Sequence, residues 1–226
     1  MTDASPPVIA VDGPAASGKG TIAQGVAQSL AFHYLDSGSL YRLVALKALE
    51  TGVPLEDEER LAAVAERLAS AFPGERILLD GIDVTTAIRG PAVSAAASRV
   101  AVHPQVRQAL LSRQRAFRRP PGLVADGRDM GTVVFPDARL KVYVTATAEE
   151  RARRRYKQLI EKGNSVTLAS LLRDIRERDA RDGARAAAPL RRATDAVILD
   201  TTGMSIPVSI SFVLQRYRAL EAAGKA

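Results

Sequence analysis

Two patterns of apolar residues alternate along this chain. Short apolar runs begin at Val8, Leu123, Leu140 and Ala196, and stretches with apolar residues every three or four positions lie between them. The short runs are typical of buried strands, and the longer spacing is typical of amphipathic helices. Because strands and helices alternate over the whole length, the pattern predicts an α/β fold, with a parallel sheet, helices on both faces and ligands at the carboxyl ends of the strands.

Capping and breaking residues indicate where the helices begin and end. A short strand, HYLD, ends at Asp36, and a turn with Ser37 and Ser39, residue types common at helix N-caps, leads into a helix through Ala48. Gly163-Asn164 is expected to separate two helices. The other predicted helices are residues 18–30, 56–71, 91–102, 103–118, 148–162, 168–182 and 206–223.

One segment interrupts this alternation. In ERILLDGIDVTTAIRG, residues 75–90, two runs of β-type residues flank Asp80 and Gly81. This dipeptide suits a two-residue type I′ turn. We therefore expect a β-hairpin in a small insert, and the hairpin by itself carries no chemistry.

Composition limits the class of protein. With 226 residues, 46% hydrophobic and 25% charged, the chain can bury a sizeable core in one domain. It has no Cys, which excludes disulfides and thiolate metal sites, and its first residues, MTDASPP, lack the basic and apolar regions of an export signal. No apolar run approaches the roughly 18 residues of a membrane span. We expect a cytoplasmic protein without a membrane partner.

The net charge of +7 leaves several explanations open. Six of the 32 basic residues are Lys and the other 26 are Arg, the residue type that makes bidentate contacts to phosphate. The charge is compatible with a nucleic-acid partner or with a cleft that gathers several phosphates, and genomic base composition also explains a chain rich in Ala and Arg. Aromatic residues, at 4%, are too sparse for stacking platforms on single-stranded nucleic acid.

The clearest chemical signal lies in VIAVDGPAASGKGT, residues 8–21. A strand, a glycine-punctuated loop and a helix start in this order predict a phosphate-binding loop, in which backbone N–H groups surround phosphate oxygens and Lys19 reaches the terminal phosphates. The usual pattern has Ser or Thr directly after the Lys, whereas Gly20 stands here and Thr21 follows. A glycine turn with a solvated Lys is the alternative, but the flanking strand and helix favour a nucleoside triphosphate site.

Two further segments are candidates for the same site. The strand at 123–125 ends in Asp126, which resembles the Walker B position, where a carboxylate holds Mg²⁺ or its water. Asp126 as a simple turn residue is the alternative. After Asp36, a strand end and a helix N-terminus accompany Tyr41 and Arg42, so these residues are candidates for a second anion site, with capping as the alternative role of the serines.

The helices at 148–162 and 168–182 are rich in Arg. In the second, Asp174, Arg178 and Asp182 recur every fourth residue and so share one face. Surface ion pairs explain this spacing. An Arg-lined lid over transferring phosphates explains it as well, because the Arg face has no obvious partner in the sequence until phosphates bind.

Several of these segments together resemble one family, the bacterial cytidylate kinases, within the P-loop nucleoside monophosphate kinases. The resemblance covers nearly the whole chain and rests on GPAASGKGT, DSGSLYR, the hairpin insert, ADGRDMGTVVFPDA and ERDARDGARAAAPL. In that family the Gly20-Thr21 ending of the loop is normal. The resemblance implies one kinase domain over 1–226, with a core at 6–55, 120–150 and 190–226, a hairpin-containing insert that binds the monophosphate at about 56–102, and a helical lid at about 151–188.

The resemblance also implies roles at the matching positions. ATP would bind at Gly13, Pro14, Ala15, Ala16, Ser17, Gly18, Lys19, Gly20 and Thr21. CMP would bind at Ser37, Tyr41, Arg42, Ser98, Arg107, Arg128, Asp129, Arg178, Asp182 and Arg185. Among these, Ser98, Arg107 and Asp129 would meet cytosine, and Arg178 and Asp182 would approach the ribose. Mg²⁺ would be held by Asp126 and Thr21, through waters.

The implied reaction transfers the terminal phosphoryl group of ATP to CMP and to dCMP. Lys19, Arg128, Arg185 and Arg154 would be its catalytic residues, and a general base is not required because the acceptor phosphate is itself largely anionic at pH 7. Other nucleoside monophosphate kinases (UMP/CMP or dTMP) and a nucleic-acid-binding P-loop ATPase are the alternatives. We expect a monomer whose partners are small-molecule substrates, with no nucleic acid. The single Asn of the chain, Asn164, is followed by Ser, so the NKxD guanine reader of a regulatory GTPase is absent.

Overall fold

The computed structural model describes residues 5–161, 163, 165–185 and 187–223. The strands are β1 (Val8–Asp12), β2 (His33–Asp36), β3 (Ser70–Ala71), β4 (Leu78–Leu79), β5 (Ile82–Asp83), β6 (Leu123–Gly127), β7 (Leu140–Thr145) and β8 (Val197–Asp200). The α-helices are α1 (Lys19–Leu30), α2 (Ser37–Glu50), α3 (Glu58–Glu66), α4 (Pro91–Val100), α5 (Pro104–Arg115), α6 (Ala148–Ile160), α7 (Leu168–Ala184) and α8 (Ile206–Ala223). A 3₁₀ turn at Ala87–Arg89 and a π-helical turn at Met130–Val134 complete these elements.

The chain forms two compact units, the first comprising residues 1–35 and 117–226 and the second residues 36–116. In the first unit, a five-stranded sheet has the order β2-β6-β1-β7-β8. The pairings of β1 with β6, β1 with β7, and β7 with β8 are parallel. The predicted α/β fold with a parallel sheet is therefore confirmed.

The core of the first unit explains why β1 lies at the centre of the sheet. All five residues of β1 are buried, as an apolar strand with a neighbour on each side requires. Helices α1 and α8 add Ile22, Val26, Val213 and Tyr217 to the same apolar cluster. This packing places the loop after β1 at the carboxyl edge of the central strand, where ligands of parallel sheets bind.

The second unit contains the predicted hairpin. Strands β4 and β5 are antiparallel, and Asp80 and Gly81 between them have φ values of 51° and 82°, as a type I′ turn requires. Strand β3 adds a third antiparallel strand at Ser70–Ala71, so the expectation of a helix through residue 71 is wrong. Helix α3 ends at Glu66, and the pairing with β4 determines the conformation of the residues beyond it.

The remaining bounds differ little from expectation. Strand β6 continues through Gly127, one residue beyond Asp126, and α2 extends to Glu50. The expected helix end at Lys162 and the expected break at Asn164 lie outside the described residues, and α6 ends at Ile160 within them. In the described part of the chain, no helix has the length and apolarity needed to cross a membrane.

Candidate functional site

The loop between β1 and α1 has the geometry of a phosphate-binding loop. Gly18 is the N-cap of α1 and has φ 89°, ψ −2°, a left-handed conformation that favours glycine, so Lys19 is the first helical residue. At Gly13 a Cβ atom would lie 2.1 Å from the carbonyl oxygen of Val144 in β7, so only glycine fits there. Both glycines that the motif requires therefore have a physical reason in this fold.

The carbonyl of Ser17 anchors the loop to two other segments. It accepts hydrogen bonds from Thr201 Oγ1 at 3.0 Å and from Arg154 Nη1 at 3.3 Å. Arg154 also donates from Nη2 to the carbonyl of Thr201 at 2.6 Å. The Ser17 hydroxyl is buried and has no hydrogen-bond partner among the described residues. This buried polar atom inside the loop is one that a phosphate oxygen would satisfy.

Two arginines of α6 already have partners in the protein itself. Arg154 donates from Nε to Glu150 at 3.0 Å, besides its bonds to the loop. Arg151 donates to the carbonyls of Ala146 and Ala15 at 3.0 and 3.2 Å and makes a bidentate ion pair with Asp179 of α7, at 3.0 and 2.5 Å. The expectation that the Arg face has no partner before phosphates bind is therefore wrong for these two residues.

A buried carboxylate in α7 accepts hydrogen bonds from two of the arginines that are predicted to be catalytic. Asp182 is 0% exposed, and its Oδ2 accepts from Arg128 Nε at 2.8 Å while its Oδ1 accepts from Arg185 Nη2. Arg128 also donates to the carbonyl of Gly127 at 3.2 Å. Of the residues predicted to contact CMP, the fold thus brings Arg128, Asp182 and Arg185 into one cluster.

The pKa of Asp182 follows from this cluster. Burial would raise the pKa, but the charges of Arg128, Arg185 and Arg178 lower it, and the pKa lies below its usual value. Asp182 therefore contributes stability that is present above its unfolded-state pKa and is lost as the pH falls through its folded-state pKa. At neutral pH the cluster has one negative and at least two positive groups, so its net charge is positive, which favours the binding of an anion.

Asp126 lies where a metal-associated carboxylate is expected. It is buried at the carboxyl end of β6, and its Oδ2 lies 3.0 Å from the position that a Cβ on Gly20 would take. Thr21, the other predicted ligand, follows Gly20 and is exposed. Within the described ranges, no group of three or more His, Cys, Asp or Glu residues is suited to hold a metal. Mg²⁺ commonly binds through one or two carboxylates, waters and substrate phosphates, so Asp126 fits this ion.

Asp12 is a buried carboxylate that the sequence analysis did not select. It ends β1, is 6% exposed and accepts the backbone N–H groups of Met130 and Gly131, each at 2.8 Å. Burial raises its pKa to about 6, against hydrogen bonds from Gly131 and Met130 that lower it. The predicted base reader Asp129 is also buried and directly precedes this pair.

The raised pKa of Asp12 predicts a pH dependence of stability. The ordinary pKa of an Asp is 3.8 and that of the folded Asp12 is about 6. Between these two pH values the folded protein keeps a proton on Asp12 that the unfolded chain releases. The free energy of unfolding therefore falls as the pH rises through this range. The difference between 3.8 and about 6 corresponds to a fall in the free energy of unfolding on the order of 3 kcal/mol. Denaturant unfolding of the parent and of Asp12→Asn at pH 4 and pH 7 measures this: the parent should lose more stability than the variant on going to pH 7, and equal losses would contradict it.

In the second unit, Asp36 orders the start of α2. Its Oδ2 accepts from Ser39 Oγ at 2.6 Å and from Arg42 Nη1 at 3.2 Å. Asp36 is the N-cap of α2 and Ser37 is its first residue, so neither serine is the N-cap. The capping role considered for Ser37 and Ser39 is therefore wrong, and Asp36 orients the guanidinium of Arg42.

The other three predicted contacts of this unit lie on α2, α4 and α5. Arg107 stacks over the ring of Tyr41, with Cζ 5.5 Å from the ring centre, and donates to the carbonyl of Ala101 at 3.2 Å. Ser98 is 3% exposed, and its hydroxyl has no hydrogen-bond partner in the part of the chain that the structure describes. A buried hydroxyl without a partner is costly unless a ligand satisfies it.

The motifs of the sequence do not select Asp12, Thr201 or Asp179 as parts of the site. Asp12 ends the apolar strand β1 and Thr201 directly follows β8. An Asp or a Thr at the end of a strand is common without any functional role, so the pattern alone does not mark these two residues. In sequence, Asp179 follows Arg178 and is not one of the residues that recur every fourth position. Its ion pair with Arg151 depends on how α6 and α7 pack. A polar residue at the carboxyl end of a parallel strand is the one signal that could have found Asp12 and Thr201.

A parallel sheet whose central strand leads through a glycine loop into a helix that begins at Lys19 defines a P-loop nucleotide-binding protein. The profile of one family, cytidylate kinase, matches residues 9–219. The chain belongs to the cytidylate kinase family.

Two relatives agree with this assignment, and one solved structure agrees with the fold. The chain is 59% identical to the cytidylate kinase of Bordetella bronchiseptica over 213 residues, which cover 94% of this chain and 96% of the relative. It is 58% identical to the cytidylate kinase of Burkholderia ambifaria over 214 residues, which cover 95% and 94%. The crystal structure of an uncharacterized protein from Eubacterium ventriosum is similar in fold alone, with a TM-score of 0.51, 10% identity, and coverage of 94% of this chain and 98% of that one.

Proposed function

We propose that this protein transfers the terminal phosphoryl group of ATP to CMP and dCMP, giving ADP and the nucleoside diphosphate. The observation that carries the proposal is the Arg128–Asp182–Arg185 cluster, which lies in the same unit as the phosphate-binding loop. One unit thus has two separate groups of residues that are suited to bind anions, as a reaction between two phosphates needs. Membership of the cytidylate kinase family supports CMP as the acceptor.

The proposed chemistry needs positioning and charge neutralisation rather than a general base. The attacking group is a phosphate oxygen of the acceptor, and its second pKa near ~6 leaves it largely anionic at pH 7. Lys19 would neutralise the transferring group of ATP, and Arg128 and Arg185 would hold the acceptor phosphate. Arg154, bonded to the Ser17 carbonyl, lies beside the loop that holds the donor.

We include Mg²⁺ in this proposal. When bound, the ion neutralises charge on the phosphates of ATP. The buried Asp126, close to Gly20 at the start of α1, would hold it through waters, and Thr21 is the second candidate.

The base-reading role rests on hydrogen-bond complementarity. A carboxylate at Asp129 would accept from the cytosine amino group, while Ser98 and Arg107 would donate to ring acceptors. The buried Ser98 hydroxyl without a protein partner supports this role. Ser37, Tyr41 and Arg42 are proposed contacts of the second unit to the acceptor, and Arg178 and Asp182 are proposed contacts of the first unit to the ribose.

We predict that Asp129→Asn weakens the preference for CMP over UMP. Uracil has a carbonyl where cytosine has the amino group, so an ionised Asp129 faces a lone pair with UMP, whereas an Asn amide can turn and donate. The ratio of kcat/KM for CMP to kcat/KM for UMP should shrink at least tenfold, with the KM for ATP little changed. Steady-state kinetics with both acceptors checks this. If the ratio is unchanged while both rates fall together, Asp129 does not read the base.

One assay decides between the proposed function and its alternatives. ADP release is coupled to NADH oxidation and measured with CMP, dCMP, UMP, AMP and dTMP, and separately with RNA. Fastest turnover with CMP supports the proposal, fastest turnover with UMP, AMP or dTMP assigns a related kinase, and RNA-stimulated turnover alone would assign a nucleic-acid-binding ATPase. The lid at about 151–188, the insert at about 56–102, the monomeric state and the cytoplasmic location stay predictions.

A further inference from the structure

The carboxylate of Asp12 connects the end of β1 to the segment that follows β6. In register, the Cα of Asp12 lies opposite Gly127 of β6. Its two oxygens accept the consecutive backbone N–H groups of Met130 and Gly131, one each, at 2.8 Å. These groups begin the π-helical turn at Met130–Val134, where the first N–H groups of a turn lack partners within it. Each of the two N–H groups therefore has a carboxylate oxygen of its own.

The turn that Asp12 holds is attached to Asp129 by its own hydrogen bonds. The carbonyl of Asp129 accepts from the N–H groups of Val133 and Val134 at 2.9 and 3.1 Å. Phe135 in turn donates its N–H to the carbonyl of Met130 at 2.7 Å. The backbone of Asp129 is therefore fixed to a turn whose position is determined by Asp12.

The other neighbour of Asp12 is the phosphate-binding loop. Asp12 directly precedes Gly13, and a buried β1 gives it little freedom to move. Burying a carboxylate costs free energy, and a neutral residue would be less costly at this position if packing were its only role. The charge of Asp129 raises the pKa of this carboxyl and the charge of Arg128 lowers it.

We infer that Asp12 is a positioning residue, which sets Arg128 and Asp129 relative to the phosphate-binding loop through the backbone of Met130 and Gly131. The inference rests on the proposed function, since its kinetic consequence concerns CMP. Asp12 itself is not proposed to contact a substrate. It determines where the acceptor-binding segment begins, so its loss weakens the use of CMP more than the binding of ATP.

The test uses Asp12→Asn in the full-length protein. An Asn has one side-chain oxygen, and its NH₂ group then faces one of the two backbone N–H groups, so one bond is lost and the turn is displaced. We expect kcat/KM for CMP to fall at least tenfold and the KM for ATP to change less than threefold. Asp137→Asn is the matched control: Asp137 is exposed, pairs with Arg118, and its variant should keep the parental values.

A second measurement is independent of catalysis. Amide hydrogen exchange of Met130 and Gly131, measured without nucleotides, should speed up at least tenfold in Asp12→Asn and remain parental in Asp137→Asn. If Asp12→Asn does not fold, Asp12→Glu replaces it in the kinetic measurement, because the longer side chain moves the turn while keeping both acceptor oxygens, and Asp12→Ala, which removes both acceptors, replaces it in the exchange measurement.

The outcomes separate the inference from the proposed function. Kinetics with CMP within threefold of the control, or equal losses for CMP and ATP, overturn the positioning role even if the exchange changes. Unchanged exchange overturns it as well. A parent protein that does not phosphorylate CMP refutes the proposed function and the kinetic part of the inference, and faster exchange at Met130 and Gly131 would then still support the structural link that Asp12 makes.

Discussion

Replacing Lys19 with Ala is expected to lower kcat about 10²- to 10³-fold. Lys19 is the first residue of α1, directly after the left-handed Gly18, and in the proposed site its side chain would reach the phosphates bound by the backbone N–H groups of the loop. Losing one preorganised donor to developing charge costs about 2.7 to 4 kcal/mol in comparable sites. The binding of CMP should change much less than the rate of phosphoryl transfer.

The measurement is kcat under saturating ATP and CMP. Lys47→Ala is the control, because Lys47 lies in α2 and pairs with Asp80 of the hairpin, and it should leave kcat at the parental value. A kcat within threefold of the parent for Lys19→Ala would show that the loop does not hold the transferring phosphate, whatever its resemblance to other P-loops.

Replacing Asp182 with Ala should affect both stability and catalysis. The carboxylate is the shared partner of Arg128 and Arg185, whose side chains are largely buried. Removing one member of a buried ion pair leaves charge uncompensated and destabilises a protein by about 3 to 5 kcal/mol. The two guanidinium groups also lose the group that orients them, so kcat/KM for CMP should fall at least a hundredfold.

Urea unfolding and steady-state kinetics check the two parts of this prediction. Asp195→Ala removes an exposed carboxylate from its pair with Lys141, and a surface pair of this kind contributes about 0 to 1 kcal/mol. The prediction fails if the two variants lose similar stability, since the Asp182 cluster would then be no more than a surface ion pair. It also fails if Asp182→Ala keeps the parental kcat/KM for CMP.

The parts of the fold that local sequence determines were predicted well. The phosphate-binding loop follows from the spacing of Gly13, Gly18 and Lys19, and the hairpin turn follows from Asp80 and Gly81. In both, the backbone conformation depends on residues adjacent in sequence. Strand β3, by contrast, consists of only Ser70 and Ala71 and exists through its pairing with β4, which a helical pattern ending nearby conceals.

The contacts of the site were harder to predict for a related reason. Arg151 and Arg154 bind backbone carbonyls of Ala15 and Ser17, and a carbonyl has no sequence signature. The partners of Asp12 are likewise backbone N–H groups, more than a hundred positions away. The identity of the candidate residues came from motif and resemblance, whereas the groups that orient them became visible only with the chain folded.

The Arg151 guanidinium, shared between the carbonyl of Ala15 and the carboxylate of Asp179, has a thermodynamic consequence. Because one side chain contacts both segments, the conformation of the phosphate-binding loop is coupled to the packing of α7. By linkage, any factor by which ATP changes the docking of α7 is the factor by which docked α7 changes the affinity for ATP. The free energy with which α7 packs on the protein thus contributes to the free energy of nucleotide binding. A substitution at Asp179 would therefore change the dissociation constant of the nucleotide, although Asp179 is not proposed to contact it.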